Sequence, residues 1–161
     1  MSSTPTNLTD AHTQQPSLAG RRALVTGGTT GIGRAIAILL AAEGAKVFIC
    51  GRDSRHLDDA LARIREVGEG DGLVVDLATQ DGVDRFVEEG ARAMGGIDIA
   101  VLNAGIAADA LTETAVDEIR YVVDTNLTAM MTTARLAVDR MEAGSDIVFI
   151  GDDRVTRAHR D

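Results

Sequence analysis

Directly after a short apolar run, residues 23–25, stands TGGTTGIG at 26–33. Gly27, Gly31 and Gly33 in this spacing allow a tight turn, close approach of the backbone to a pyrophosphate, and close packing of the next helix on a sheet. The free amides at that helix start attract an anion. An ordinary glycine turn is the plain alternative. The placement of the triplet between a strand and an amphipathic helix favours the nucleotide reading. Other chemistry is poorly supplied. His12, His56 and His159 are scattered without ligand spacing, so no metal site is expected. The single cysteine, Cys50, cannot form an internal disulfide and reads as a small core residue. The only lysine is Lys46 and the only tyrosine is Tyr121, which sits among apolar helix positions and is expected to pack with its hydroxyl at the surface.

The elements that must position the glycine loop follow from periodicity. After the first strand, Ile32, Ile36, Leu39 and Leu40 stripe a helix that Gly44 ends as a left-handed cap. Residues 47–50 read as a second strand, and Leu57, Leu61 and Ile64 as the apolar stripe of a second helix opened by Ser54. Residues 73–75 form a third strand. Val83, Phe86, Val87 and Met94 stripe a third helix, and residues 97–102 a fourth strand buried on both faces. Residues 114–141 read as a long helical stretch broken near 124–126. In it Val116, Ile119, Val122, Val123, Leu127, Met130, Met131, Leu136 and Met141 serve packing. Residues 147–150 are the fifth strand. Alternation of strand and helix implies an α/β fold, a Rossmann-like doubly wound parallel sheet with right-handed crossovers.

Composition agrees with one globular domain. The chain of 161 residues is 45% hydrophobic, enough to bury a core. Its formal net charge of -9 offers no basic footprint for nucleic acid or an anionic membrane, so an anionic ligand must be held locally. No apolar run approaches the ~20 residues that span a bilayer, and a cytoplasmic location is expected. Residues 1–19 are polar and aperiodic, the signature of a flexible tail; 20–150 form the folded unit; 151–161 show no period.

The Thr-Gly-x-x-x-Gly-x-Gly spacing of residues 26–33 resembles the short-chain dehydrogenase/reductase family. Three further matches carry the resemblance. Asp76 in VVDLA corresponds to the family's aspartate after the third strand, which contacts adenine. Asn103, Ala104 and Gly105 correspond to its Asn-Ala-Gly after the fourth strand, and Asn126 in DTNLTA to the helix asparagine that orders a proton-relay water. Taken singly, Asp76 could cap a loop, Asn103 form a turn and Asn126 mark a helix break. The resemblance implies sheet order 3-2-1-4-5 and a nicotinamide dinucleotide bound by Gly27, Thr29, Thr30, Gly31, Ile32, Gly33, Arg52, Asp76, Leu77, Asn103, Ala104 and Gly105, with Asn126 in the catalytic relay. The family marks NAD by an acid where this chain has Gly51, so Gly51 followed by Arg52 implies NADP rather than NAD. Asp53 next door argues the other way.

The family's catalytic serine after the fifth strand and its Tyr-x-x-x-Lys on the next helix have no counterpart. There the lysine would lower the pKa of a phenol from about 10 so that it could serve as acid/base. Asp152 falls where the serine belongs and would repel a developing alkoxide. The expected protein is therefore the NAD(P)-binding portion of an oxidoreductase, truncated before its catalytic residues, its small-molecule substrate unreadable. The alternative is a non-catalytic nucleotide-binding or interaction module. Ile147, Val148, Phe149 and Ile150 would form an apolar sheet edge that favours self-association.

Overall fold

The computed structural model describes residues 17–107 and 114–151. Expectations placed on His12, Asp152, His159, 1–16 and 152–161 lie outside them. Five strands form one parallel sheet: β1 (Arg22–Thr26), β2 (Lys46–Gly51), β3 (Glu69–Val74), β4 (Ile97–Leu102) and β5 (Met141–Phe149). Their order is β3-β2-β1-β4-β5, as expected. The crossovers carry α1 (Gly31–Ala42), α2 (Ser54–Arg65) and α3 (Gln80–Met94). Between β4 and β5 lie α4 (Val116–Val123), a π-helical turn (Asp124–Thr128) and α5 (Ala129–Val138).

Side chains alternate across the strands, so the sheet has two apolar faces. Leu24, Phe48, Cys50, Ala100 and Leu102 point to one side and pack with Val83, Phe86, Val87 and Met94 of α3 and with Ala129 and Ala137 of α5. Ala23, Val25, Val47, Ile49, Ile99 and Val101 point to the other, under α1 and α2. The stripes expected on α2 and α3 are the buried faces of those helices. On α1 the expectation holds for Ile36 and Leu40, which pack on the core, and is corrected for Ile32 and Leu39, which are exposed at 66% and 62%; the fully buried positions are Gly33, Ala37 and Ala41. The cause is close approach. A Cβ on Gly33 would strike the Gly27 carbonyl and the Asn103 amide, so α1 meets the sheet through its smallest residues.

Other corrections are local. Asp53, not Ser54, caps α2, its Oδ1 accepting from the amides of Arg55 (2.9 Å) and His56 (3.0 Å). β3 and β5 begin earlier than their apolar residues suggest, because polar positions such as Glu69 and Asp71 enter the ladder through the backbone. The expected break in the long helix is real and takes the form of the π-helical turn. Its packing is looser than expected: Val116, Val123, Leu127 and Met131 are exposed, whereas Met130 and Leu136 pack on the core; the helix ends at Val138, short of the expected 141, and Met141 packs on the core from β5. At the β5 edge Val148 and Phe149 are exposed, while Ile147 and Ile150 turn towards the two cores. Ser17 and Leu18, within the segment read as a tail, are held by Glu43: its carboxylate accepts from Ser17 and its carbonyl from the Leu18 amide.

Candidate functional site

The glycine loop, the ends of β2 and β3, and the segment after β4 converge at the carboxyl ends of the strands. β1 lies between β2 and β4, which is where the order of connection reverses. In open parallel sheets this switch point is the place for a ligand. Gly27 and Gly31 adopt φ of +64° and +53°, a region costly to any residue with a Cβ, so the loop's path requires glycine there. Thr30 ends the loop in extended conformation without giving α1 a side-chain cap, and the first turn of α1 holds no acid. An uncapped N-terminus behind a glycine cradle, free of negative charge, suits an anion.

Polar side chains tie the surrounding loops down. Thr26 Oγ1, buried at the end of β1, accepts from the backbone amides of Asn103 and Ala104, each at 2.9 Å. Asn103 Nδ2 donates back to the carbonyls of Thr26 (3.3 Å) and Gly27 (3.4 Å). The end of β4 is thereby laced to the glycine loop. Asn126, in the π-helical turn, makes a two-point clamp on the backbone of Ile106: its Oδ1 accepts from the amide and its Nδ2 donates to the carbonyl, both at 2.8 Å. Asp76 is a turn former, its Oδ1 accepting from the Ala78 amide (3.0 Å), and the next helix starts close by through the Thr79 cap. Leu77 is buried beneath it, and Thr29 is buried against Gly51. Asn103, Ala104 and Gly105 are half-buried or exposed along the cleft. The local roles read for Asp76 and Asn126 are therefore present in the structure, whereas Asn103 forms no turn and instead ties the end of β4 to the glycine loop.

The second-strand end discriminates between acid and base. Asp53 spends Oδ1 on two α2 amides, and its Oδ2 lies 3.4 Å from the Arg55 guanidinium. The amide of His56, then the remaining bonds, hold its carboxyl below the usual carboxylate range. Arg52 is exposed and turned towards the cleft, its Nη1 donating to the Tyr121 hydroxyl at 2.6 Å. The expectation for Tyr121 is corrected here. Its ring is half-buried and its hydroxyl also donates to Asp76 Oδ2 at 3.1 Å, because the side chains that follow β2 and β3 meet it.

Neither Thr26 nor Tyr121 is marked by the sequence as a residue of the cleft. Thr26 was the opening letter of the glycine motif, and its strand-end hydroxyl was the available signal; nothing local announced Tyr121. Lys46 lies at the opposite end of β2, donating to the Ala93 carbonyl (2.9 Å), and His56 is exposed. Among the described residues no cluster of His, Cys, Asp and Glu could hold a metal, and no helix is long and apolar enough to cross a membrane.

A profile described as short chain dehydrogenase matches residues 21–153. An NADPH-dependent aldehyde reductase of Arabidopsis thaliana is 34% identical over 146 residues, covering 83% of this chain and 51% of the relative. A 3beta-hydroxysteroid dehydrogenase of Mediterraneibacter gnavus is 37% identical over 131 residues, covering 79% of this chain and 48% of the relative. Among solved structures, a short chain dehydrogenase of Burkholderia cenocepacia in complex with NADP superposes with a TM-score of 0.83 at 36% identity, covering 89% of this chain and 60% of that one. The chain thus spans about half the length of the curated relatives it matches.

Proposed function

The chain belongs to the short chain dehydrogenase family, and from that premise we propose that its cleft binds NADP(H) and supplies the cofactor half of a carbonyl–alcohol oxidoreductase. The observation that carries the reading is the charge arrangement at the end of β2. Arg52 is exposed to the cleft, whereas the acid next to it in the sequence, Asp53, is consumed as the cap of α2. A carboxylate so engaged competes poorly for ribose hydroxyls, and a guanidinium fork matches a phosphate. The NADPH dependence named for the Arabidopsis relative and the NADP held by the Burkholderia structure support the same choice.

The residues present fit such a group. The amides of Gly31, Ile32 and Gly33 at the uncapped start of α1 would hold the pyrophosphate, with Thr29, Thr30 and Gly27 shaping the loop. Arg52 would take the 2′-phosphate, Asp76 and Leu77 the adenine end, and Asn103, Ala104 and Gly105 the opposite wall. Bound there, the nicotinamide supplies hydride chemistry between its ring and a carbonyl carbon. Asn126 acts through the clamp on Ile106, fixing the wall after β4. These 161 residues contain one lysine, bound at the opposite end of β2 from the cleft, and one tyrosine, bound to Asp76 and Arg52. Neither can form the family's acid/base pair, so by themselves they bind cofactor without turning over substrate.

Calorimetric titration with NADPH and NADH tests the cofactor assignment. Wild type is expected to prefer NADPH. Arg52→Ala should lose about tenfold to a hundredfold in NADPH affinity and little in NADH affinity, the range of a charge-assisted contact. Equal wild-type affinities would overturn it. Nicotinamide-dependent turnover by the purified chain would overturn the assignment of cofactor binding without catalysis.

A further inference from the structure

Three elements meet at one phenol. Tyr121 of α4 donates to Asp76 Oδ2 after β3 and accepts from Arg52 Nη1 after β2, and the Arg52 guanidinium carbon lies 5.9 Å from the centre of its ring. We infer that Tyr121 is a positioning residue that holds Arg52 ready for a 2′-phosphate, so that discrimination between phosphorylated and unphosphorylated nucleotide depends on its hydroxyl. This rests on the NADP(H) reading above.

The polarity of the bridge is fixed by the groups. A guanidinium only donates and an ionised carboxylate only accepts, so the phenol must accept from Arg52 and donate to Asp76. Its single proton is then spent on the carboxylate, and the hydroxyl stands as a spacer between opposite charges that attract each other. Without it Arg52 is free to close on Asp76, which would withdraw the cation from the phosphate and the carboxylate from the base. With it, Arg52 engages one of its five N–H donors and keeps the rest of the fork available. Asp76 likewise retains acceptor capacity, since Oδ1 receives only the Ala78 amide. Arginine is long and rotamer-rich, and here it is exposed. Ordering it before the ligand arrives removes part of the cost of binding.

A purely structural tyrosine, serving to fasten α4, would weaken all ligands together. A positioning tyrosine changes a ratio. The 161-residue chain and its Tyr121→Phe variant, which keeps the ring over the guanidinium, are titrated calorimetrically with 2′,5′-ADP and with 5′-AMP as probes. The variant is expected to lose about three- to tenfold for 2′,5′-ADP and less than about twofold for 5′-AMP. Arg52→Lys, which keeps the charge but not the fork, should narrow the ratio as well, as the cofactor reading by itself requires; Tyr121→Leu serves in place of Tyr121→Phe if that variant does not fold. Because Tyr121 is the only tyrosine and there is no tryptophan, the near-UV band of wild type should also respond to 2′,5′-ADP. An unchanged ratio in Tyr121→Phe beside a collapsed ratio in Arg52→Ala overturns this inference and leaves the cofactor reading standing. Wild type that does not distinguish the two probes overturns both. Tighter binding by Tyr121→Phe would mark the phenol as an obstacle and overturn the inference alone.

Discussion

Asn126→Asp puts the clamp on Ile106 to a test that no change of size confuses. The wild-type side chain presents its oxygen to the Ile106 amide and its nitrogen to the Ile106 carbonyl, both at 2.8 Å. An isosteric carboxylate keeps the first bond but turns the second into two acceptors facing each other. Losing one partly buried hydrogen bond costs about 1 kcal/mol, and leaving the carbonyl unpaired beside a like partial charge raises the total to about 2 to 3 kcal/mol near neutral pH. Asn126→Ala removes both bonds without creating repulsion, and water can reach the half-buried backbone, so about 1 to 2 kcal/mol is expected. The two variants separate with pH. A protonated carboxyl can donate to the Ile106 carbonyl, so the folded state favours the protonated form and the introduced group titrates above the ordinary aspartate value of about 3.9. Its penalty is therefore full above the folded pKa and fades as pH falls towards the unfolded one, while the alanine penalty stays constant. Urea unfolding of both variants and wild type, each compared at neutral pH and near pH 4, measures this. Equal losses for the two variants at both pH values, or a tolerated Asn126→Asp at neutral pH, would refute the clamp.

Two further outcomes are expected. Asp98 at the start of β4 accepts from Arg22 Nε (2.7 Å), Nη2 (2.8 Å) and its backbone amide (2.9 Å), with 19% of its side chain exposed. The Arg22 side-chain bond, outweighing desolvation, holds its carboxyl below the ordinary value, so this stabilisation is present above about pH 4 and is lost as pH falls through the lower folded pKa. Asp98→Asn should cost about 1.5 to 3 kcal/mol at neutral pH, the difference from wild type shrinking in acid; a constant difference down to the acid transition would exclude the ion pair as its source. Burial pushes the Cys50 thiol up to about 12, against a smaller opposing bond at the Gly27 backbone, so a thiol reagent at about pH 8 should label it only as fast as the chain unfolds. Prompt stoichiometric labelling of the native protein would show that β2 is open.

The parts of the fold that the sequence reveals are those governed by a one-dimensional period. Val47 and Ile49 alternate with Phe48 and Cys50, and Leu57, Leu61 and Ile64 recur on one helical face, so strand and helix follow from burial. Where contact distance rather than hydrophobicity decides, the period misleads. α1 meets the glycine loop at Gly33 and buries Ala37 and Ala41; Ile36, Ile38 and Leu40 pack at the margin of that core, and Ile32 and Leu39 face outward. The cap of α2 differs by one residue because both Asp53 and Ser54 carry suitable oxygens and only backbone conformation chooses between them. Tyr121 is least legible, since its partners lie 69 and 45 residues away and are met only through the tertiary fold.

The cleft also differs in kind from the core beneath it. Below the strand ends the sheet is held by side chains that need no partner beyond close packing, such as Leu24 and Ile49. At the ends each loop is tied by a directional bond from a polar side chain to backbone: Thr26 to the Asn103–Ala104 amides, Asn103 to the glycine loop, Asn126 to Ile106, Asp76 to Ala78. A surface that is to receive the phosphates and polar base of the proposed cofactor cannot be fastened by apolar packing without filling the space the ligand needs. Hydrogen bonds to backbone fix the same loops while leaving other amides and oxygens facing the cleft. It follows that substitutions at these tethers should alter the geometry of binding more than the integrity of the sheet, whereas truncation of Phe86 or Leu24 should do the reverse, since both are fully buried where no ligand reaches.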